Sequence, residues 1–499
     1  MNLRIPFVLL WLGGALVSTA GAVADGSLAV FQARLSNHLA QARFAPATWG
    51  VKVVSLDSGR TLFEHNAGKL LKPASNNKLF TGALALDRLG PDFRIKTSLH
   101  AAARPDEAGV LRGDLLVYGR GDPSFASRFP GKGGTNLLAS LVETLVTADV
   151  KRIEGDLVGD ESYFQGPPLG ATWAWDDLQY YYGAEVSALT AQENVVDLVL
   201  RPGARPGDPC RVELSPRTTY LAFSNRTETM ATGVTTVQLY RPVGENVVYL
   251  SGRMATNAPP QVDAVAVHDP ARWFLTLFQE ALAQRGISVS GGCRTVNWLD
   301  RQIDPVAWPH LVELASTDSA PIGDIVKRMM KPSQNLYAQL LLLQVGVREA
   351  KSAGRGLTTE EAGLIAMNKF LAEAGVRKGD ALLEEGSGLS RGALVAPDAI
   401  VALLRFMDQH RHAAVFRDSL PIAGVDGTLR RRFKDTPAAE KLLAKTGTLR
   451  HVTALSGYVT TKAGERLAFA ILLNNHDGET SGRAAVDALA VMLAEGVGE

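Results

Sequence analysis

The chain has 499 residues, of which 46% are hydrophobic and 21% charged, a balance that excludes disorder as a description of the whole. Fifty-two Lys and Arg face 51 Asp and Glu, so the net charge is +1 and the basic surplus of a nucleic-acid binder is missing. Two cysteines, Cys210 and Cys293, exclude a zinc ribbon, an iron–sulfur site or a disulfide-dense scaffold. In chain order, Arg4 and the apolar run from Ile5 to Val17 precede Ala22-Val23-Ala24, a small-x-small cleavage pattern. The run is too short to span a bilayer and reads as a signal peptide (1–24), with a mature start at Asp25 and export to the periplasm. Export would make a Cys210–Cys293 disulfide available, closing a loop worth roughly 4–5 kcal/mol in the chain-entropy model. No later segment is apolar enough for a transmembrane anchor, and the C-terminal helix lacks the basic face of a membrane-surface helix.

Helical spacing appears over 27–42, then Trp49 to Ser55 alternates as a strand. Asp57-Ser58-Gly59 turns, and Thr61 to Phe63 starts a return strand. A helix is expected from Ser75 to Leu89, apolar on most sides and stopped by Gly90-Pro91. From about 93 to 291 short alternating stretches dominate, such as Val195 to Leu200 and Thr235 to Tyr240, with a helix over Leu137 to Thr147. Helices are then expected at Ile322 to Met330, Leu336 to Val345 and Thr359 to Ala374. A hairpin follows, with strands Thr453 to Thr460 and Leu467 to Asn474 around a turn at Lys462 to Glu465, and a last helix spans Arg483 to Glu495. Helix and strand at both ends bracket a β-rich middle, the pattern of a discontinuous domain (25–91 and 291–499) carrying an insertion (92–290).

Three short motifs carry chemistry. Ser75-Asn76-Asn77-Lys78 is the sole Ser-x-x-Lys in the chain. Positions i and i+3 of a helix lie one above the other, so Lys78 can reach the Ser75 hydroxyl. A serine needs a base to become a nucleophile, and a buried lysine can be that base. By itself the motif reads more readily as a capping serine with a surface lysine. Ser333-Gln334-Asn335 follows Pro332 and by itself reads as a helix N-cap. Lys445-Thr446-Gly447-Thr448 precedes the hairpin and by itself reads as an edge strand with a close approach at glycine. The ordered set is far more specific than its members: it is the combination of penicillin-binding proteins and class A β-lactamases.

With these motifs the chain resembles the D-alanyl-D-alanine carboxypeptidases of the penicillin-binding-protein 4 type, peptidase family S13. The first two motifs lie 258 positions apart (75 to 333), and this family places extra domains in that interval. Further stretches look like the family: Gly119 to Pro123, Trp175 to Leu178 with Tyr180 to Gly183, Gly386 to Arg391, and Gly424 to Leu429. Two positions depart from it. Gln334 and Glu385 stand where Asp is common, and neither is expected to touch a catalytic residue.

The resemblance implies an α/β (α+β) catalytic domain of the β-lactamase/transpeptidase type with a large β-rich insertion of two subdomains. It implies Ser75 as nucleophile, Lys78 as general base, Ser333 as proton relay and Asn335 as the group orienting Lys78. Ser75 and Thr448 would supply the oxyanion N–H groups. Lys445, Thr446, Gly447 and Thr448 would hold the substrate carboxylate, with Lys445 lowering the pKa of Lys78. Peptidoglycan stem peptides would be substrates and β-lactam antibiotics inhibitors, with no cofactor, no metal and no nucleic acid; a homodimer stays open. A β-lactamase or a non-enzymatic sensor would use the same motifs. Ser390 in Gly388-Leu-Ser-Arg-Gly392, with His476 downstream, imitates a hydrolase elbow but lacks its strand–turn–helix setting. Arg120-Gly-Asp122 reads as a structural turn, and His410 with His412 as a helix end.

Overall fold

The computed structural model describes residues 20–127, 129, 138–353 and 356–497. The apolar run from Ile5 to Val17 lies outside the described residues.

The catalytic half is built on one antiparallel sheet. Its strands run in the order Leu442–Leu449, Val452–Thr460, Arg466–Asn474, Thr48–Ser55 and Thr61–His65. The two chain ends therefore meet in the middle of the sheet, where Thr48–Ser55 pairs with Arg466–Asn474 along its whole length. Strands covered on both faces lose hydrophobic alternation and become continuous apolar runs. Leu467 to Leu473 shows this, since every side chain is buried. Phe469, Ile471 and Leu473 pack with Val53 against the terminal helices Ala20–Leu39 and Glu479–Glu495. Ala468, Ala470 and Leu472 pack with Val54 against the opposite helical cluster.

The helix Asn77–Leu89 runs through that cluster, and Leu79, Phe80, Ala83, Leu84, Ala85 and Leu86 are wholly buried. Its core tolerates no gap: cutting Phe80 to Ala would cost about 3–5 kcal/mol. Gly82 admits the helix Ile322–Met330, because a β-carbon there would lie 2.7 Å from the Met330 methyl. Gly90 ends the helix at φ +83° and its N–H donates to the Leu86 carbonyl, as a C-cap glycine should. The helix starts two residues later than the sequence suggests. Ser75 sits in a preceding 3₁₀ turn, Ala74–Asn76.

The middle of the chain is β-rich as expected, but not a series of hairpins. Its largest sheet is mixed, with Cys293–Val296, Leu157–Asp160 and Leu115–Tyr118 parallel, followed by Lys96–Ala101 and Val312–Asp318. Two of these strands come after residue 290, so the middle region's sheet runs past the boundary read from sequence. Cys293 starts a strand that pairs inside the middle region, with Leu157–Asp160. The region's two larger hydrophobic clusters share the helix Pro270–Gln284, which gives Trp273 to one and Phe274, Leu275 and Phe278 to the other. Of Thr235 to Tyr240 only Gln238–Tyr240 is strand. The two cysteines do not pair. Cys210 is buried beside Thr229, while the Cys293 thiol donates to Gln279 on that helix.

Candidate active site

The three motifs converge on one cleft of about 690 Å³. Ser75 lies at its floor because Ala74 before it takes a left-handed conformation, φ +47°, which turns the chain sharply into the helix. A non-glycine residue held there costs of order 1–3 kcal/mol and persists where the surroundings enforce it. Here the Gly386–Ser387–Gly388 segment does so: a β-carbon on Gly388 would stand 2.0 Å from the Ala74 carbonyl oxygen, so only glycine fits.

One helical turn on, the Lys78 ammonium nitrogen has three partners. Nζ lies 2.9 Å from Ser75 Oγ, 2.6 Å from Asn335 Oδ1 and 2.8 Å from the Ser387 carbonyl. Lys78 is wholly buried, and that burial lowers its pKa from 10.5 to about 7, against an opposing pull from the Glu385 carboxylate. This corrects the expectation that Lys445 does the lowering: loss of water is the cause. Lys445 is itself wholly buried and depressed well below the ordinary lysine value, first by burial and then by the Lys78 charge. Taking an ammonium out of water without a counter-charge costs several kcal/mol, so the neutral amine is favoured at both positions.

Ser333 also has a left-handed backbone, φ +69°, and its Oγ accepts from Lys445 Nζ at 2.8 Å. Ser333 is thus not the N-cap, since the residue before the helix is Gln334. Asn335 opens the helix Asn335–Ala353, and its Nδ2 donates to the Tyr182 carbonyl at 2.7 Å, which leaves Oδ1 turned to Lys78. Gln334 is buried and accepts the Leu336 N–H, away from the lysines.

Lys445 to Thr448 lie on Leu442–Leu449, the edge strand of the sheet. Ala444 N–H donates to the Pro421 carbonyl, on the side away from the neighbouring strand. Side alternates with a period of two along a strand, so the Thr446 and Thr448 N–H groups face the same open edge, toward the cleft. Gly447 lets this strand approach the nucleophile turn, since a β-carbon would meet the Pro73 carbonyl at 2.6 Å. Asn76 Nδ2 ties the two together by donating to the Lys445 carbonyl. Thr446 Oγ1 donates to Thr428 Oγ1 at 2.9 Å. Ser75, Ser333, Asn335, Thr446 and Thr448 line the cleft, whereas Lys445 lies behind it. The structure therefore gives Lys445 a place under Ser333 rather than an open position facing a carboxylate.

Residues that carried no expected role also meet here. Thr428 reaches the cleft because Lys331 clamps its loop: Nζ bonds the Asp426 carboxylate and the Leu420 carbonyl, both at 2.6 Å. Tyr181, Tyr182, Asp176, Asp177 and Arg391 form the opposite wall. Their stretches looked familiar in sequence, but nothing local showed which atoms face the cleft. Glu385 was expected to touch nothing catalytic. It is wholly buried and acts electrostatically on Lys78. The imitation elbow dissolves: the Ser390 hydroxyl donates to Glu384 at 2.6 Å, and His476 is engaged with Thr453. The His410 ring is used by Asp87 and by the His412 N–H. Arg120 bonds the Lys96 carbonyl and Ser98 and stacks on Tyr118, a structural role.

A profile of the D-Ala-D-Ala carboxypeptidase 3 (S13) family matches residues 31–496. The chain belongs to this family. It is 34% identical over 510 aligned residues to a D-alanyl-D-alanine carboxypeptidase of Actinomadura sp. (strain R39), covering 99% of this chain and 89% of that protein. Against the D-alanyl-D-alanine carboxypeptidase DacB of Haemophilus influenzae the identity is 28%, covering 85% and 84%. The crystal structure of penicillin binding protein 4 from Haemophilus influenzae superimposes with a TM-score of 0.77 at 25% identity, covering 92% of this chain and 98% of that one. S13 membership makes the chain a serine-type D-Ala-D-Ala carboxypeptidase with the penicillin-binding-protein 4 fold.

Proposed function

We infer that Ser75 is the nucleophile of this carboxypeptidase and that the reaction runs through an acyl-enzyme on peptidoglycan stem peptides. The observation that carries this is the Lys78 amine, wholly buried with a pKa near 7 and 2.9 Å from the Ser75 hydroxyl. As a free base it takes the Ser75 proton while Oγ attacks the carbonyl between two D-alanines. The negative charge that forms on the carbonyl oxygen is met by the N–H groups of Ser75 and Thr448. The C–N bond then breaks, and the leaving amine receives a proton through Ser333, which Lys445 holds in place. Asn335 fixes the Lys78 amine. Water completes the cycle by hydrolysing the ester and releasing Ser75.

The open edge of the Lys-Thr-Gly strand favours substrates whose leaving group carries a carboxylate. Thr446, Thr448 and Thr428 offer hydroxyl and N–H donors there, and hydrogen bonds to a carboxylate are the stronger kind. A terminal D-Ala–D-Ala and a D-Ala–diaminopimelate cross-link both present such a group, so both bonds are cleaved. β-Lactams acylate the same serine. Export to the periplasm by the N-terminal leader places the enzyme beside its polymer.

Incubation with labelled penicillin and mapping of the modified peptide tests the assignment. Label on Ser75 is expected; label on Ser390 would overturn it. Digestion of defined muropeptides with free and amidated carboxylates tests the substrate, with a roughly ten- to hundredfold preference expected for the free acid. Mass spectrometry of protein from cells should find a mature start at Asp25.

A further inference from the structure

The segment Glu385 to Ser390 is organised around one carboxylate. Glu385 Oε2 accepts the Ser387 N–H at 2.7 Å, and Oε1 accepts the Gly388 N–H. Successive backbone N–H groups converging on one anion form a nest, normally filled by a bound ion. Here the chain fills its own nest with a side chain that is wholly buried. The outer side of the segment is pinned as firmly. The Glu385 carbonyl accepts from Asn77 Nδ2 at 2.8 Å, the Gly386 carbonyl from Thr81 Oγ1 at 2.6 Å, and the Gly386 N–H donates to Gln339 Oε1 at 2.8 Å. Asn77 and Thr81 belong to the helix that carries Lys78. The product of this lacing is the placement of one atom, the Ser387 carbonyl oxygen, 2.8 Å from Lys78 Nζ.

We propose that Glu385 is a positioning residue for the Ser75–Lys78 pair: its carboxylate fixes the Ser387 carbonyl against the lysine and supplies the negative charge that acts on the buried Lys78 amine. The proposal rests on Lys78 being the general base. The groups facing Lys78 are few. Its own helix turn brings Ser75, the sheet brings Lys445, the helix Asn335–Ala353 brings Asn335, and the segment brings Glu385. Of these, Glu385 is the group whose charge acts on Lys78. Burial favours loss of the Lys78 proton and Glu385 favours its retention. Burial alone would push the amine lower still and leave it a weaker base. Glu385 thus holds its basicity near neutrality. A carbonyl aimed at Nζ also leaves the nitrogen lone pair one direction to point, toward Ser75. Glu360 sits behind the segment and is joined to it through Gln339, whose Nε2 donates to the Glu360 carboxylate.

The test measures the second-order rate of penicillin acylation against pH for wild type, Glu385→Gln and Glu385→Asp. Removing the charge should move the acid-side inflection of Glu385→Gln to lower pH by at least about half a unit, because Lys78 then loses its proton more easily. The plateau rate should fall about tenfold or more as the Ser387 carbonyl is released. Glu385→Asp keeps the charge on a shorter arm. It should retain the wild-type inflection within about 0.3 unit while its plateau falls. A purely structural residue would lower the melting temperature and leave the inflection in place in both variants, and that result would overturn the proposal. Should Glu385→Gln fail to fold, Glu385→Asp decides: a shifted inflection or an undiminished plateau overturns it. Failure of wild type to label Ser75 would instead remove the underlying assignment of function, so the two failures are distinct.

Discussion

Two hollows of similar size differ in almost everything but volume. The catalytic cleft has about 690 Å³. A second hollow of about 820 Å³ lies where the middle region meets the helical cluster, walled by Phe164, Val186, Leu343 and Leu364. Each has titratable groups shifted toward neutrality by burial: Lys78 in the first, Glu161 and Glu360, both raised to about 7, in the second. The second even has a serine beside a carboxylate, since the Ser187 hydroxyl donates to Glu161. That hydroxyl also accepts the Leu189 N–H. The difference teaches that a perturbed pKa identifies burial, not chemistry. Chemistry needs the base, the hydroxyl and the oxyanion donors to face one point, and the cleft arranges that.

The largest effect expected is that of Ser75→Ala, which should lower penicillin labelling by at least about a thousandfold with the melting temperature nearly unchanged, because it removes only the nucleophile. Labelling that survives would move the chemistry elsewhere.

Lys78→Met should come next, with a comparable loss of acylation and a gain in stability. The sign follows from linkage. The folded pKa, about 7, lies below the unfolded value, so between about pH 7 and 10.4 the unfolded chain holds more protons. The penalty for burying the amine is full below pH 7 and fades as pH rises toward 10.4. Denaturant unfolding at pH 6 should therefore show Lys78→Met more stable by about 1–3 kcal/mol, with the gain shrinking at higher pH. In wild type the acylation rate should rise with pH through an inflection near 7.

A smaller loss, about ten- to a hundredfold, is expected for Gly447→Ala. Its methyl would press on the Pro73 carbonyl, backbone that cannot swing aside, and would push the edge strand off the nucleophile turn. Stopped-flow acylation reads this directly. The smallest effect tests the other hollow: Glu161→Gln should leave acylation within about threefold. A tenfold loss would show that the second hollow shares in the chemistry and would break the comparison.

Much of this was legible in the chain itself. The ordered motifs pointed to the family, and the Ser75–Lys78 pairing followed from helical spacing that the 3₁₀ entry turn did not disturb. The strand Leu467 to Asn474 and the buried helix stopped at Gly90 were legible too, because both depend on local pattern. What tertiary structure decided was everything set by contacts between distant segments. Burial of Lys445 behind Ser333, rather than exposure to substrate, depends on how an edge strand meets a turn some 370 positions earlier. The separation of Cys210 from Cys293 and the recruitment of Cys293–Val296 into a parallel pairing depend on sheet order, which no local pattern encodes. Glu385 looked like a tolerated departure beside a glycine run. Its position inside the loop, out of water and within electrostatic reach of Lys78, exists only once the Asn77 and Thr81 anchors have closed the segment onto the helix.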